Sequence, residues 1–188
     1  MNTTNRYRRS MGAVAAVVTL SVAAVAQNKS PALSPSDKMK INGIGAVRIG
    51  MPLTKAIDAT QMSWNVEFAV SDGDCRYATP IVEKPNEKTD LSFMVVDGVI
   101  VRAEVSKRGI ATVSGVRVGD TEAKVKAAYP GKIKSEVHPY DENGHYLIFT
   151  PTDAKDAKFR LIFETDGKTV RSFRAGRVPE VHWIEGCL

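Results

Sequence analysis

Two stretches of alternating apolar and polar positions organise the chain, at residues 91–105 and 159–175. In the first, two β-rich runs flank Asp97-Gly98, a dipeptide whose residues accept the positive φ angles of a tight hairpin. The second repeats this around Asp166-Gly167. Earlier strands are predicted near 77–82 and 146–150, with Pro/Asp/Lys-rich loops at 83–90 and 151–158. Each group of strands follows a helix signal. Val47-Arg48-Ile49-Gly50 leads to Pro52, which suits a first helical position because a missing N–H costs nothing there. Val116-Arg117-Val118-Gly119 leads to Asp120, a predicted N-cap, and to Glu122 in the first turn, where the helix dipole favours an acid. Val125, Ala128 and Tyr129 then give an i, i+3, i+4 apolar stripe, and Pro130-Gly131 ends the helix. The pattern 181–187 predicts a closing strand that brings Cys187 to Cys75.

These signals recur at a constant offset of 69 positions. It links Val47 to Val116, Asp72 to Asp141, Tyr77 to Tyr146, Asp97-Gly98 to Asp166-Gly167 and Val101-Arg102 to Val170-Arg171. The chain therefore reads as a duplicated αβββ unit of the α+β class, with repeat 1 at 41–110 and repeat 2, including the closing strand, at 111–188.

Pairing across two-residue turns sets Met94 opposite Val101 and Phe163 opposite Val170. These, with Phe159 and Leu161, are expected under the helices. Phe93, Val95, Ile100, Arg102 and Glu104 fall on the other face, as do Arg160, Ile162, Glu164, Arg171 and Phe173. Arg and aromatic side chains dominate binding hot spots, so Phe93, Arg102, Glu104, Arg160, Arg171 and Phe173 form the expected protein-binding set. The competing reading is a solvated sheet with cross-strand pairs such as Arg160 opposite Phe173. Trp64 is expected in the core, whereas Trp183, beside His182 near the sheet edge, fits either the core or an anchor role.

The N-terminus changes the charge. Arg6, Arg8 and Arg9 precede an apolar run at 11–26 that ends in Ala24-Val25-Ala26, so residues 1–26 are expected to be a cleaved signal peptide. The run is shorter than a membrane-spanning helix needs, which disfavours an uncleaved anchor. Of the 188 residues 162 would remain, and the formal charge of +5 would fall to +2 with the three arginines. No dense basic run is left, so nucleic acid is set aside as a partner. Residues 27–40, rich in Ser, Pro, Asn and Lys, read as a mobile leader. Two cysteines in an exported chain point to a Cys75–Cys187 disulfide, and a reactive pair would lack C-x-x-C spacing.

The V-R-[I/V]-G turn into a short helix, followed by three antiparallel strands, resembles the BamE-type module of bacterial envelope proteins. Two in tandem, over roughly residues 41–188, resemble the layout of the β-lactamase-inhibitory proteins. The resemblance implies one continuous antiparallel sheet with helices on one face and protein binding on the open concave side. The acylated cysteine of the lipid-anchored BamE-type factor has no counterpart here.

Candidate chemistry is sparse. His138, His145 and His182 are the only histidines, and no G-x-S-x-G or H-E-x-x-H motif accompanies them. His138-Pro139-Tyr140 and Asn143-Gly144-His145 read as polar turns. Asp72-Gly73-Asp74 and 141–144 offer oxygens but not a full calcium loop. Gly43, Gly45 and Gly50 miss the G-x-G-x-x-G spacing. No catalytic residue, metal or cofactor is assigned. The leading expectation is a periplasmic or secreted, non-catalytic protein-binding module, an inhibitor or immunity factor of an envelope enzyme, without membrane insertion after cleavage. An envelope assembly or cell-wall scaffold is the alternative, and a hydrolase with a spatially assembled site is the third reading.

Overall fold

The computed structural model describes Met1, Leu33, Ser34 and residues 36–67, 74–81 and 90–187. The expected signal peptide beyond Met1, part of the leader, Asp72, Gly73 and most of the 83–90 loop lie outside the described residues.

Short pieces come first: β1 (Lys38–Met39), β2 (Gly43–Ile44) and β3 (Val47–Arg48). Then follow α1 (Leu53–Thr60), β4 (Trp64–Val66), β5 (Cys75–Pro80), β6 (Leu91–Val96) and β7 (Val99–Val105). After β8 (Ala111–Thr112) the order recurs, as α2 (Glu122–Ala128), β9 (Ile133–His138), β10 (Asp141–Phe149), β11 (Phe159–Thr165) and β12 (Val170–Arg177). Eight strands form one antiparallel sheet in the order β4-β5-β6-β7-β12-β11-β10-β9. The seam is β7 against β12, where Glu104 pairs with Arg174 and Arg102 with Gly176. The fold is α+β, with four strands behind each helix rather than the expected three.

Both helices lie on one face. Ala56 of α1 and Val125 of α2 join Phe93, Val95, Ala103, Leu161, Phe163, Phe173 and Ala175 in the main core. Rings stack through it, with Tyr129 4.7 Å from Phe149 and Trp64 5.2 Å from Phe93. Each helix entry is stitched to a hairpin. The Gly50 N–H donates to the Ile100 carbonyl (2.7 Å) and Leu53 to Gly98 (2.9 Å). In the second half Gly119 donates to Val170 (2.8 Å) and Glu122 to Lys168 (3.1 Å). Gly50 and Gly119 both take positive φ there, +93° and +87°, which an L side chain would strain. Asp120 is not the cap of α2. Its carboxylate accepts the Arg117 N–H, and Thr121 caps by accepting from Lys124. Pro52 likewise sits at the N-cap of α1, one position before the helix.

These stitches correct the sheet parity. The helix entries are 69 apart, whereas their hairpin acceptors, Gly98 and Lys168 or Ile100 and Val170, are 70 apart. The second turn therefore centres on Gly167-Lys168, closed by the Asp166 N–H on the Thr169 carbonyl. Bulges then add one residue in each hairpin: Met94 faces Arg102, not Val101, and Phe163 faces Phe173, not Val170. A bulge inverts every side chain beyond it. The bulge at Arg171 thus puts Phe173 on the face of Val170, in the helix-side core. The bulge at Val101 puts Arg102 and Glu104 on the face opposite Ile100. β6 itself has no bulge, and its Leu91, Phe93 and Val95, with Ile100, face the helices in place of the expected Met94 and Val101.

Two ends also differ from expectation. Lys38–Met39 pairs with β8, and Met39 is fully buried, so the leader is structured by residue 38. The chain end is no strand: a 3-10 turn at Glu180–His182 opens an arm across the open face.

Candidate functional site

The open face carries a smaller apolar cluster, Tyr146, Ile148 and Ile162, capped by Val181 from the arm. A buried backbone laid over a sheet face leaves carbonyls without partners, and each such group is costly. Two arginines from the seam supply the donors. Arg102, 2% exposed, donates through Nη1 to the carbonyls of Glu180 (3.0 Å) and Trp183 (2.7 Å). Arg174 donates through Nε to the Val181 carbonyl (2.8 Å), and its guanidinium lies 5.0 Å from the Tyr146 ring centre. Arg177 fixes Glu180 from the side through Nε (2.9 Å) and Nη2 (2.6 Å). The planar fork of arginine suits this work better than a lysine ammonium.

The remaining donors of Arg102 face inward polar groups. Nη2 reaches the Tyr77 hydroxyl (2.8 Å), Nε pairs with Glu104, and the Tyr77 hydroxyl donates to Glu104 (3.1 Å). Burial and then the Glu104 charge push the Tyr77 phenol up, so it stays protonated. Tyr146 is raised in the same way by burial and Glu164. A cavity of about 390 Å³ opens here, lined by Glu67, Tyr77, Ser92, Glu104, Glu164, Ser172, Ile184 and Glu185 among others. A neighbouring cavity of about 550 Å³ runs along the outer arm, from Tyr140 and Trp183 to both cysteines. Ile184, Glu185 and Gly186 line both.

The outer arm is anchored by the Cys75–Cys187 disulfide, with Cα atoms 5.3 Å apart. The Tyr140 hydroxyl donates to Glu185 (2.7 Å), and Gly186 lies flat on the Tyr77 hydroxyl, where a Cβ would come within 2.6 Å. Large apolar side chains stand out of this arm and its neighbour: Tyr140 is 70% exposed, Ile184 46% and Trp183 39%.

The expected binding set is thus divided. Arg102 and Glu104 are at the site, but Arg102 is spent on the arm. Arg160 is off to one side, donating to the carbonyls of Ala157 (2.8 Å) and Phe159 (2.6 Å). Arg171 occupies the bulge, exposed and paired with Asp166 (2.6 Å) near the hairpin tip. Phe93 and Phe173 are buried in the core. Sequence reasoning missed Tyr140 and Ile184 and left Trp183 open between core and anchor, because their exposure depends on how the arm lies. It missed Arg174 because the bulge at Arg171 shifts its parity.

The histidines make separate contacts. His138 ends β9 instead of sitting in a turn; its Nδ1 accepts the Tyr140 N–H (3.1 Å) and its Nε2 faces Glu164 (3.4 Å). The Ser172 hydroxyl is 3.4 Å from the other Glu164 oxygen. The carboxylate therefore stands between serine and histidine, and the imidazole does not face the hydroxyl, an order opposite to that of a Ser-His-Asp triad. His145, within β10, bonds Glu122 (2.7 Å), which also accepts from Thr165 (2.5 Å) and ties α2 to its hairpin. Burial opposes the charge of Glu122, but Thr165, His145 and Lys126 together hold its pKa below normal. His182 is lowered by burial and by Arg160. The 141–144 segment is the start of β10, where Asp141 accepts the Asn143 N–H (3.0 Å). Among the described residues no group of three His, Cys, Asp or Glu could hold a metal ion. None of the described helices is long and apolar enough to cross a membrane.

No protein-family model matches the chain, and neither does any curated protein. Among solved structures it is similar to the uncharacterised protein YfeY from Escherichia coli, at 15% identity. That match covers 74% of this chain and 99% of the other, with a TM-score of 0.48. A second is an extracellular protein containing an SCP domain from Bacillus anthracis, at 11% identity over 69% of this chain and 44% of that one, with a TM-score of 0.44.

Proposed function

We propose that this chain is a secreted, non-catalytic protein-binding module whose partner docks on the open sheet face beside the C-terminal arm. One observation carries the reading: Tyr140, Trp183 and Ile184 stand exposed along the outer cavity, next to the polar inner one, and the arm that bears Trp183 and Ile184 is held by Arg102, Arg174 and a disulfide. Aromatic anchors on a preorganised frame bind with little ordering cost. Four carboxylates line the inner cavity, those of Glu67, Glu104, Glu164 and Glu185, while its two arginines are committed to the arm and to Glu104 and Glu164. The complementary partner surface is apolar with a basic residue at its centre.

Export fits the Ala24-Val25-Ala26 signal and the disulfide, a bond that persists in oxidising compartments. The repeated stitching of helix entry to hairpin supports descent of both halves from one BamE-type unit. Within that reading an inhibitor or immunity factor of an envelope enzyme is preferred, because a compact recognition patch serves a soluble binary complex.

Capture from periplasmic extract on the mature protein tests the surface. Trp183→Ala and Ile184→Ala should each lower partner recovery at least about tenfold. Their own stability should fall by no more than about 1 to 2 kcal/mol, because both side chains are only partly covered. Equal recovery by the double variant refutes the surface. Fractionation with outer membrane or peptidoglycan instead of the soluble pool selects the scaffold reading.

A further inference from the structure

The arm has an inner and an outer part, held by different means. Residues 180–183 are bound by Arg102, Arg174 and Arg177, and Val181 is buried without remainder. No backbone hydrogen bond anchors 184–187 among the described residues. That stretch is held by one exposed side-chain bond, Tyr140 to Glu185, by the contact of Gly186 with Tyr77, and by the disulfide. Four residues of freed backbone gain more entropy than one exposed hydrogen bond restrains. The covalent bond therefore decides whether the outer arm stays down.

Ile184, Glu185 and Gly186 are a shared wall of the two cavities, so whatever holds them also shapes the binding surface. Both cysteines are half-buried and face the larger cavity, which gives a small reductant access. We infer that the Cys75–Cys187 bond is a redox switch on the proposed binding surface: the oxidised chain presents the wall, and the reduced chain releases it while the sheet stays folded. The inference rests on the open face being the docking site.

The reductant is a dithiol. One of its thiolates attacks a protein sulfur to form a mixed disulfide, and the other protein sulfur leaves as thiolate and takes a proton. The second dithiol sulfur then closes the reductant's own disulfide and frees the remaining cysteine, which is protonated in turn. Two electrons and two protons pass to Cys75 and Cys187.

The test is backbone 15N relaxation of the full mature chain, oxidised and after treatment with dithiothreitol, alongside a Cys75→Ser/Cys187→Ser variant. Order parameters at 184–187 should fall from about 0.8 to below about 0.6 on reduction and in the variant. Those of 180–183, β7 and β12 should hold. Unchanged order at 184–187 overturns the switch, since side-chain contacts then suffice. Collapse of the sheet's amide dispersion overturns it too, since the bond is then a global staple. These readouts need no partner. A mobile outer arm with no Trp183-dependent capture leaves a redox-released tail but removes the binding surface, whereas capture with a rigid reduced arm keeps the surface and removes the switch.

Discussion

The Arg102 Nη1 atom lies 2.7 Å from the carbonyl oxygen of Trp183, a residue 81 positions later. The same nitrogen also reaches the Glu180 carbonyl, so one buried side chain at the sheet seam fixes the path of the chain end. Arg102→Met keeps much of the packing volume and strips every donor. It removes the Arg102 donor from the Trp183 carbonyl, and leaves the Glu180 carbonyl only the Trp183 N–H and the Glu104 carboxylate only the Tyr77 hydroxyl. The loss should be about 3 to 5 kcal/mol in urea unfolding. Arg102→Lys should recover less than half of this, since one ammonium cannot span both carbonyls and Tyr77.

Gly186 has a φ of +72° and sits against Tyr77, whose hydroxyl is held in place by Arg102 and Glu104. Gly186→Ala should destabilise by about 2 kcal/mol through backbone strain and the new contact. In a Tyr77→Phe background the contact disappears, so a double-mutant cycle should return a coupling of about 1 kcal/mol. Strict additivity would place the arm differently.

Glu122 links helix to hairpin as an anion. Its folded pKa lies below the ordinary 4.5, so its contribution is complete above that value and is lost as pH falls through the folded pKa. Glu122→Gln should cost about 1 to 2 kcal/mol near neutral pH. The gap from wild type should narrow steadily below about pH 4.5. A gap independent of pH would show that shape alone matters at that position.

Met39→Ala tests where the folded unit begins. Met39 is fully buried in the main core, so truncation should cost about 2 to 4 kcal/mol by chemical denaturation. A cost near zero would return residues 38–40 to the leader.

Much of the fold was legible because its signals are local. The glycine-to-helix turns at Gly50 and Gly119, the Pro130-Gly131 stop and the strands 91–96, 99–105 and 159–165 depend on neighbouring residues alone. β11 was sorted correctly, with Phe159, Leu161 and Phe163 under the helices and Ile162 and Glu164 opposite. β4 escaped notice because the three residues Trp64–Val66 are too few to show a period, and β9 because Lys134, Ser135 and Glu136 are all exposed along an edge and do not alternate. Met39 escaped because one apolar residue in a polar run carries no period.

The site was less legible, and the reason is parity. A one-position slip in the second hairpin kept Asp-Gly and Val-Arg at 69 while the structural offset became 70. The bulge at Arg171 then reversed the face of Phe173 relative to a straight pairing, whereas β6 was turned over as a whole, with Phe93 rather than Met94 under the helices. The sequence alone determined the class of fold, the helix entries, the hairpins and the cysteine pairing, since those follow from backbone preference at single turns and from the count of cysteines. Which side chains meet a partner was decided by the tertiary structure. Strand register, the place of each bulge and the course of the arm under Arg102 and Arg174 all arise from contacts between residues far apart in the chain.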